Sequence, residues 1–314
     1  MRDEMQAKEI KKVTIAGAGT MGSQIALQCA RKRFTVVLYD VSESSLAGAK
    51  QVMHHLWHAF GKGKSQDSSQ ALESLDEILT RIKFTTSIEE AAEDCDLINE
   101  SVPEDPKLKG ELFARFNKLC PARTIFTTNT STLLPSMFAE ETGRPERLVA
   151  LHFHKPLMSP AIADVMAHAK TDKELVKVVA EFAESIDQIV IIPHKENSGY
   201  VFNHMLGAML DAAMDLVIDG VATVEEVDRS WMGIMLMPQG PFAIMDHIGL
   251  DTVYKICQFW AEAENNPLRH RRCEFIGEYC QRGHVGIKTG QGFYKYPQPS
   301  FQDTNFVAKT AAIG

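Results

Sequence analysis

Gly17, Gly19 and Gly22 spell GxGxxG between an apolar run, KVTIAGAG, and a helical segment, TMGSQIALQCARKR, and the next apolar run, TVVLYD, ends in Asp40. Strand, glycine turn, helix and strand make a βαβ unit, which commits the first part of the chain to a parallel sheet. In such a unit the first glycine allows the tight turn, the second lets a diphosphate approach the backbone, and the helix N-terminus faces that diphosphate. GxGxxG alone recurs by chance. An acid about 20 residues further on makes the pattern specific. Asp40 at that position accepts the two hydroxyls of an adenosine ribose and repels a 2'-phosphate, and no arginine follows it in VSESS. The pattern therefore predicts NAD(H) rather than NADP(H). The plainer alternative for Asp40 is a cap on a strand end.

Alternation continues with strands at CDLINES, TIFTTN, RLVALHF and DQIVIIP and a helix at PKLKGELFARFNKLC. Strands alternating with helices predict an α/β fold, a Rossmann-type, doubly wound and mostly parallel sheet covered on both faces. Between Val41 and Phe84 a mostly polar helical stretch, interrupted at GKGKSQDSS, predicts a helical-hairpin insertion that adds little to the sheet. After Pro193 strand signals stop, and NSGYVFNHMLGAMLDAAMDLVIDG reads as one long amphipathic helix. The expected division is residues 1–196 as the dinucleotide-binding domain and 197–314 as an all-α domain. Met205, Met209, Met214, Met232, Met235, Met237 and Met245 crowd the second part, which suits a helical core or a subunit interface. The first twelve residues read as an unstructured lead-in, and the stretch after Tyr296 as a surface extension.

A formal net charge of -8 argues against a partner presenting many phosphates, so neither nucleic acid nor an anionic membrane is expected. No run approaches the roughly 18 apolar residues of a membrane span. Six cysteines without a CxxC pair, and no apolar leader, predict reduced thiols and a cytoplasmic location. His54 and His58 stand at helical spacing but lack a third ligand, so no metal is expected.

Three later segments, TTNTSTLLPS, ALHFHKPLMSPAIADVM and SGYVFN, carry polar residues where an open α/β sheet presents them, at strand ends near the cofactor. With the glycine loop and GFYKY near the C-terminus, they make the chain resemble the 3-hydroxyacyl-CoA dehydrogenase family from Lys12 to Tyr296. LHFHKPLM, TLLPS and the residues around GYVFN are more similar to its bacterial diketoreductase-like members.

The resemblance implies that His152 is the catalytic base, a role suited to a side chain whose ordinary pKa of about 6.5 lets it take and return a proton. It pairs the base with an acid twelve residues later, a glutamate in the family and Asp164 here, one methylene shorter. That pairing is expected to fix the imidazole tautomer and raise the histidine pKa. Ser131 and Asn203 match the family's donors to the reacting oxygen. Their plainer roles are a turn serine and a helix cap. Gly17, Gly19, Thr20, Met21, Gly22 and Asp40 match the cofactor loop, and Glu100, Lys107 and Asn129 match positions near the nicotinamide ribose. Glu100 and Lys107 read equally well as a surface pair. His154 lies two residues from the base and so points the same way along an extended strand.

The implied substrate is a small 3-hydroxyacyl or 3-ketoacyl compound, with Lys62 and Lys64 available to the phosphates of a CoA thioester, and the implied assembly is a homodimer. Lys155 replaces the family's asparagine after the HFF motif, which leaves open a diketoreductase-like reductase of compounds without CoA. An NAD-binding, crystallin-like protein without turnover is the alternative from another class.

Overall fold

The computed structural model describes residues 6–62, 73–157 and 161–308. The chain divides into two compact units, Met1–Val201 and Phe202–Gly314.

The first unit runs β1 (Lys12–Ala16), α1 (Thr20–Arg31), β2 (Thr35–Tyr39), α2 (Glu43–Lys62), α3 (Leu75–Leu79), β3 (Ile82–Thr85), α4 (Ile88–Ala92), β4 (Leu97–Glu100) and α5 (Pro106–Leu119). It continues with β5 (Ile125–Thr128), β6 (Leu148–Phe153), β7 (Ala161–Met166), α6 (Lys173–Ser185) and β8 (Gln188–Ile191). The eight strands form one sheet in the order β3-β2-β1-β4-β5-β6-β7-β8. Every pairing is parallel except β6 with β7. The central strands β4, β5 and β6 are buried along their whole length, as expected of a sheet with helices on both faces.

Two strands depart from the expected pattern. The stretch after α2 adds an edge strand, β3, rather than only helices, and its short, half-exposed IKFT with Lys83 outward carries little apolar signal. In β7, the buried Asp164 interrupts an apolar run, which hides the strand. The lead-in is also partly structured: Ala7–Glu9 form a 3-10 turn and Ile10 joins the core. Of the two lysines of GKGKSQDSS, Lys64 lies outside the described residues, and Lys62 is described only as the last backbone position of α2.

The first unit extends five residues past the expected boundary, because the chain there is bonded back to the sheet. Asn197 N donates to Met166 Sδ at 3.2 Å, Ser198 Oγ to Thr132 O at 2.7 Å, and Tyr200 Oη to Thr130 O at 2.7 Å.

The second unit is helical: α7 (Phe202–Ile218), α8 (Val224–Met235), α9 (Pro241–Ile248), α10 (Leu250–Glu264) and α11 (Pro267–Gln281). Its core gathers Met214, Met232 and Met245, whereas Met205, Met235 and Met237 are exposed, so the methionines divide between core and surface. Two buried aspartates hold the GFYKY segment. Asp228 accepts from Phe242 N, Ala243 N and Tyr294 Oη at 2.8–2.9 Å, and Asp246 from Phe293 N, Tyr294 N and Tyr296 Oη at 2.9–3.0 Å. The stretch after Tyr296 is not a surface extension, since Phe301 and Phe306 are buried in this core.

Candidate active site

The turn between β1 and α1 has the backbone that its glycines imply. Gly17 sits at φ +113°, and a Cβ there would lie 2.5 Å from Ser101 O, while one on Gly22 would lie 1.8 Å from Gly17 O. Both positions are closed to any side chain. A Cβ on Gly19 would meet nothing within 4 Å, which leaves the backbone open on the side where a diphosphate approaches a helix N-terminus. Gly19 caps α1, whose first turn carries the half-exposed Met21 after Thr20 and no acidic residue to repel an anion. Asp40 follows β2 and ties this loop to it: Oδ2 accepts from Ala18 N at 2.8 Å and Oδ1 from Ser42 N at 2.9 Å. Each carboxylate oxygen has a further lone pair, so these bonds leave acceptor capacity for ribose hydroxyls. The residues present fit a dinucleotide.

His152 lies near the end of β6 and Asp164 within β7, and the antiparallel register sets them directly opposite each other. Directly opposed side chains share one face, which is how a separation of twelve residues closes to contact. His152 Nδ1 is 3.2 Å from Asp164 Oδ2, so the shorter acid reaches the ring without an intermediary. His154 Nε2 lies 2.8 Å from that same oxygen. Its ring stands edge-on to that of His152, with centroids 4.5 Å apart.

Burial dominates the electrostatics of the pair. It lowers the His152 pKa, and the hydrogen bond to Asp164, which acts upward, does not restore it; His154 lowers it further. The pairing acts upward as expected, but burial outweighs it and the pKa lies below its ordinary value, because 6% exposure leaves little water to hydrate an imidazolium. Burial also pushes the Asp164 carboxyl up, but hydrogen bonds from His152 and His154 overrule it and the carboxyl lies below its ordinary value.

Tyr200 packs flat on the His152 ring, with centroids 4.8 Å apart and planes 5° from parallel. Its backbone is left-handed at φ +54°, held by Asn197 Nδ2, which donates to Tyr200 O at 2.6 Å.

Ser131 sits in the loop after β5. Its backbone N donates to Glu104 Oε1 at 2.7 Å and its hydroxyl to the same oxygen at 3.2 Å, while Thr130 Oγ1 bonds both Glu104 oxygens. Glu104 is held in turn by the buried Lys109, whose Nζ lies 3.2 Å from Glu104 Oε2 and 2.6 Å from Glu100 Oε1. Burial opposes the ammonium of Lys109, but the two carboxylates overrule it and hold its pKa above the ordinary value. Thr128 Oγ1 donates to Glu100 Oε2 at 2.6 Å, and Asn129 Oδ1 accepts from Phe153 N at 2.9 Å, joining the ends of β5 and β6.

Against known proteins, residues 12–196 match the family model described as "3-hydroxyacyl-CoA dehydrogenase, NAD binding domain", and residues 199–296 match "3-hydroxyacyl-CoA dehydrogenase, C-terminal domain". The chain belongs to the 3-hydroxyacyl-CoA dehydrogenase family. It is similar to a probable 3-hydroxybutyryl-CoA dehydrogenase of Bacillus subtilis, 33% identical over 92% of this chain and 99% of that one. The mitochondrial hydroxyacyl-coenzyme A dehydrogenase of Homo sapiens is 32% identical over 91% of each chain. Among solved structures, a diketoreductase is 37% identical with a TM-score of 0.79, covering 91% of this chain and 99% of the other. The chain is thus an NAD-dependent oxidoreductase of this family, and its first unit is the NAD-binding domain.

Set against the family pattern, several residues fall elsewhere than the sequence indicates. Lys107 does not pair with Glu100; it is exposed, 3.9 Å from Glu111, and the lysine at Glu100 is Lys109. The helical period separates them: Lys109 shares a face with the buried Leu112, Phe113 and Phe116, and Lys107 does not. No sequence pattern marks Glu104 or Tyr200 as a site residue, although Tyr200 stands within SGYVFN. Asn203 is the second residue of α7, half-exposed, in the second unit. His54 and His58 are exposed on α2, and among the described residues no third donor joins them. No helix among the described residues is long and apolar enough to cross a membrane.

Proposed function

We propose that the protein interconverts a 3-hydroxyl and a 3-keto group on a small acyl substrate, with His152 as the base and Asp164 as its partner. The observation that carries the reading is the opposed His152–Asp164 pair in hydrogen-bond contact inside an NAD-binding domain. When bound, NAD supplies the hydride chemistry at the substrate carbon. Asp164, ionised, accepts the proton-bearing Nδ1 of His152 and leaves Nε2 as the acceptor for the hydroxyl proton. The depressed His152 pKa keeps the free imidazole neutral at physiological pH, the form a base requires. In reduction the same nitrogen returns the proton. Ser131 serves the reacting oxygen by turning its hydroxyl from Glu104, where the bond is the longer of its two. The family resemblance assigns the amide of Asn203 to that oxygen, and Gly17, Gly19, Thr20, Met21, Gly22, Asp40, Glu100, Lys107 and Asn129 to the cofactor.

For the substrate, the curated relatives favour a 3-hydroxyacyl-CoA thioester. A reductase of diketo compounds without CoA is the second reading, supported by the 37% identity to a diketoreductase and by Lys155 in place of the family asparagine. Assays with NADH and either acetoacetyl-CoA or a diketo ester separate the two. Turnover of neither, with NADH still bound, overturns both in favour of an NAD-binding protein without activity.

The proposed assembly is a cytoplasmic homodimer formed through the second unit. Its support is an exposed apolar stretch, Ile234, Met235, Leu236 and Met237, beside an apolar recess lined by Met209, Leu216 and Trp231. Six free cysteines, five of them buried, suit a reducing compartment. A monomer in sedimentation at micromolar concentration refutes the dimer.

A further inference from the structure

We infer that His154 is a positioning residue of the proton relay: a second imidazole donor that fixes the catalytic carboxylate and shares it with His152. The inference rests on the reading of His152 as the base and adds a group that the family pattern does not supply, since the HFF motif carries no histidine at this position.

The geometry is that of one oxygen serving two rings. Asp164 Oδ2 lies 2.8 Å from His154 Nε2 and 3.2 Å from His152 Nδ1, and the aspartate side chain is 2% exposed. An ionised carboxylate only accepts, so both nitrogens must carry hydrogen. This sets two tautomers at once, His152 as Nδ1–H with Nε2 bare, and His154 as Nε2–H. The shorter and stronger contact belongs to His154, the ring that is not the base. It anchors an acid whose side chain is one methylene shorter than the family's glutamate. The cost falls on His152, which holds the same oxygen at the longer distance and receives less stabilisation for its imidazolium.

Among the described residues, the charged and titratable groups facing His152 are Asp164 from β7, His154 just past β6, Glu104 from the loop before α5, and the Tyr200 phenol stacked on the ring. Of these, His154 alone both competes for the partner carboxylate and adds positive charge when protonated. Removing it therefore hands the carboxylate to His152, and the proton affinity of the base rises.

The test is the pH profile of reductive kcat/KM with NADH. Reduction needs the protonated base, so the rate falls as pH rises through the His152 pKa. In His154→Phe that limb moves up by about half to one pH unit. The plateau rate falls roughly threefold to tenfold because Asp164 loses its anchor, with KM for NADH unchanged. His154→Gln, whose amide donates the same hydrogen bond, recovers the plateau to within about twofold. Histidine 15N spectra of the wild-type protein at neutral pH provide the second readout: His152 protonated on Nδ1 and His154 on Nε2. A His154→Phe enzyme with both limb and plateau of the wild type overturns the inference, as does a bare His154 Nε2. Loss of turnover in His152→Ala tests the base itself, and the spectra need no substrate, so failure of the one reading is distinct from failure of the other.

Discussion

Tyr200 lies flat against His152, its ring 5° from parallel at 4.8 Å between centroids, and its hydroxyl reaches across to Thr130 O, the residue before Ser131. One side chain thus braces the plane of the imidazole and the loop that carries the serine. Proton transfer is sensitive to angle, so this brace sets a rate rather than an affinity. Tyr200→Phe keeps the stack and is expected to lose less than about fivefold in kcat, whereas Tyr200→Ala loses roughly tenfold to a hundredfold with KM for NADH unchanged. Equal rates for the phenylalanine and alanine variants in steady-state assays would remove the stack from the mechanism.

His152→Ala is expected to lower kcat by roughly 10² to 10⁴ while NADH binding, measured by fluorescence titration, changes little. The imidazole stands at the end of β6, whereas the diphosphate loop follows β1, so base and cofactor anchor are separate parts of the sheet. Near-normal turnover of the variant would show that another group moves the proton.

Asp164 links the site to pH in two ways. Asp164→Asn removes the charge that acts upward on a His152 pKa already depressed by burial, so the pKa falls further. Reduction, which needs the protonated ring, then fails at lower pH than in the wild type. Asp164→Glu keeps the charge and the profile. Stability follows the same signs. The Asp164 carboxyl titrates below its unfolded value, so its contribution is present above that value and is lost as pH falls through the folded one. His152, depressed in the fold, adds a penalty as pH drops below its unfolded value of about 6.5, where only the unfolded chain binds the proton readily. Melting curves of the wild type should show a first unit that weakens from mildly acidic pH downward, and an Asp164→Asn protein with a wild-type rate profile would make the acid merely structural.

Much of this site is legible in the sequence because its chemistry is written in local patterns. GxGxxG with Asp40 specifies the turn, and the apolar runs specify β1, β2, β4, β5, β6 and β8. What escaped depends on partners far apart in the chain. Lys109 and Lys107 look alike until the helix period is laid against Phe113 and Phe116. Glu104 gains its place from contacts with Thr130 and Ser131, 26 and 27 residues on, and with Lys109. His154 was legible as a neighbour, since alternation along a strand puts it beside His152, but its claim on the Asp164 oxygen depends on the register of β7. The depression of the His152 pKa was hidden for a similar reason: a motif names the partner acid and is silent on burial.

If Asp40 holds the ribose as proposed, its carboxylate faces the 2' position with no cation following it, and NADH should be at least about tenfold more efficient than NADPH. Because Asp40 also accepts from Ala18 N, Asp40→Ala loosens the glycine loop and is expected to weaken NADH more than it improves NADPH. Equal kcat/KM for the two cofactors in the wild type would displace Asp40 from the ribose.

Lys109 is the most exposed to test of the buried groups because its side chain is 1% accessible while Glu100, its partner at 2.6 Å, is fully buried. Removing one member of such a pair strands the other charge, at a cost of about 3–5 kcal/mol. Here Lys109→Met strands Glu100 and also takes the cation from the more exposed Glu104, which holds both the backbone N and the hydroxyl of Ser131. The variant should therefore lose both stability in urea and catalytic rate. Glu100→Gln combined with Lys109→Met removes the uncompensated charge at Glu100 and should recover part of the stability. The rate should stay low, since Glu104 still lacks its cation. A double variant no more stable than Lys109→Met, or a single variant within about 1 kcal/mol of the wild type, would show that water or a rearranged partner neutralises these carboxylates and that the network does not hold the serine loop.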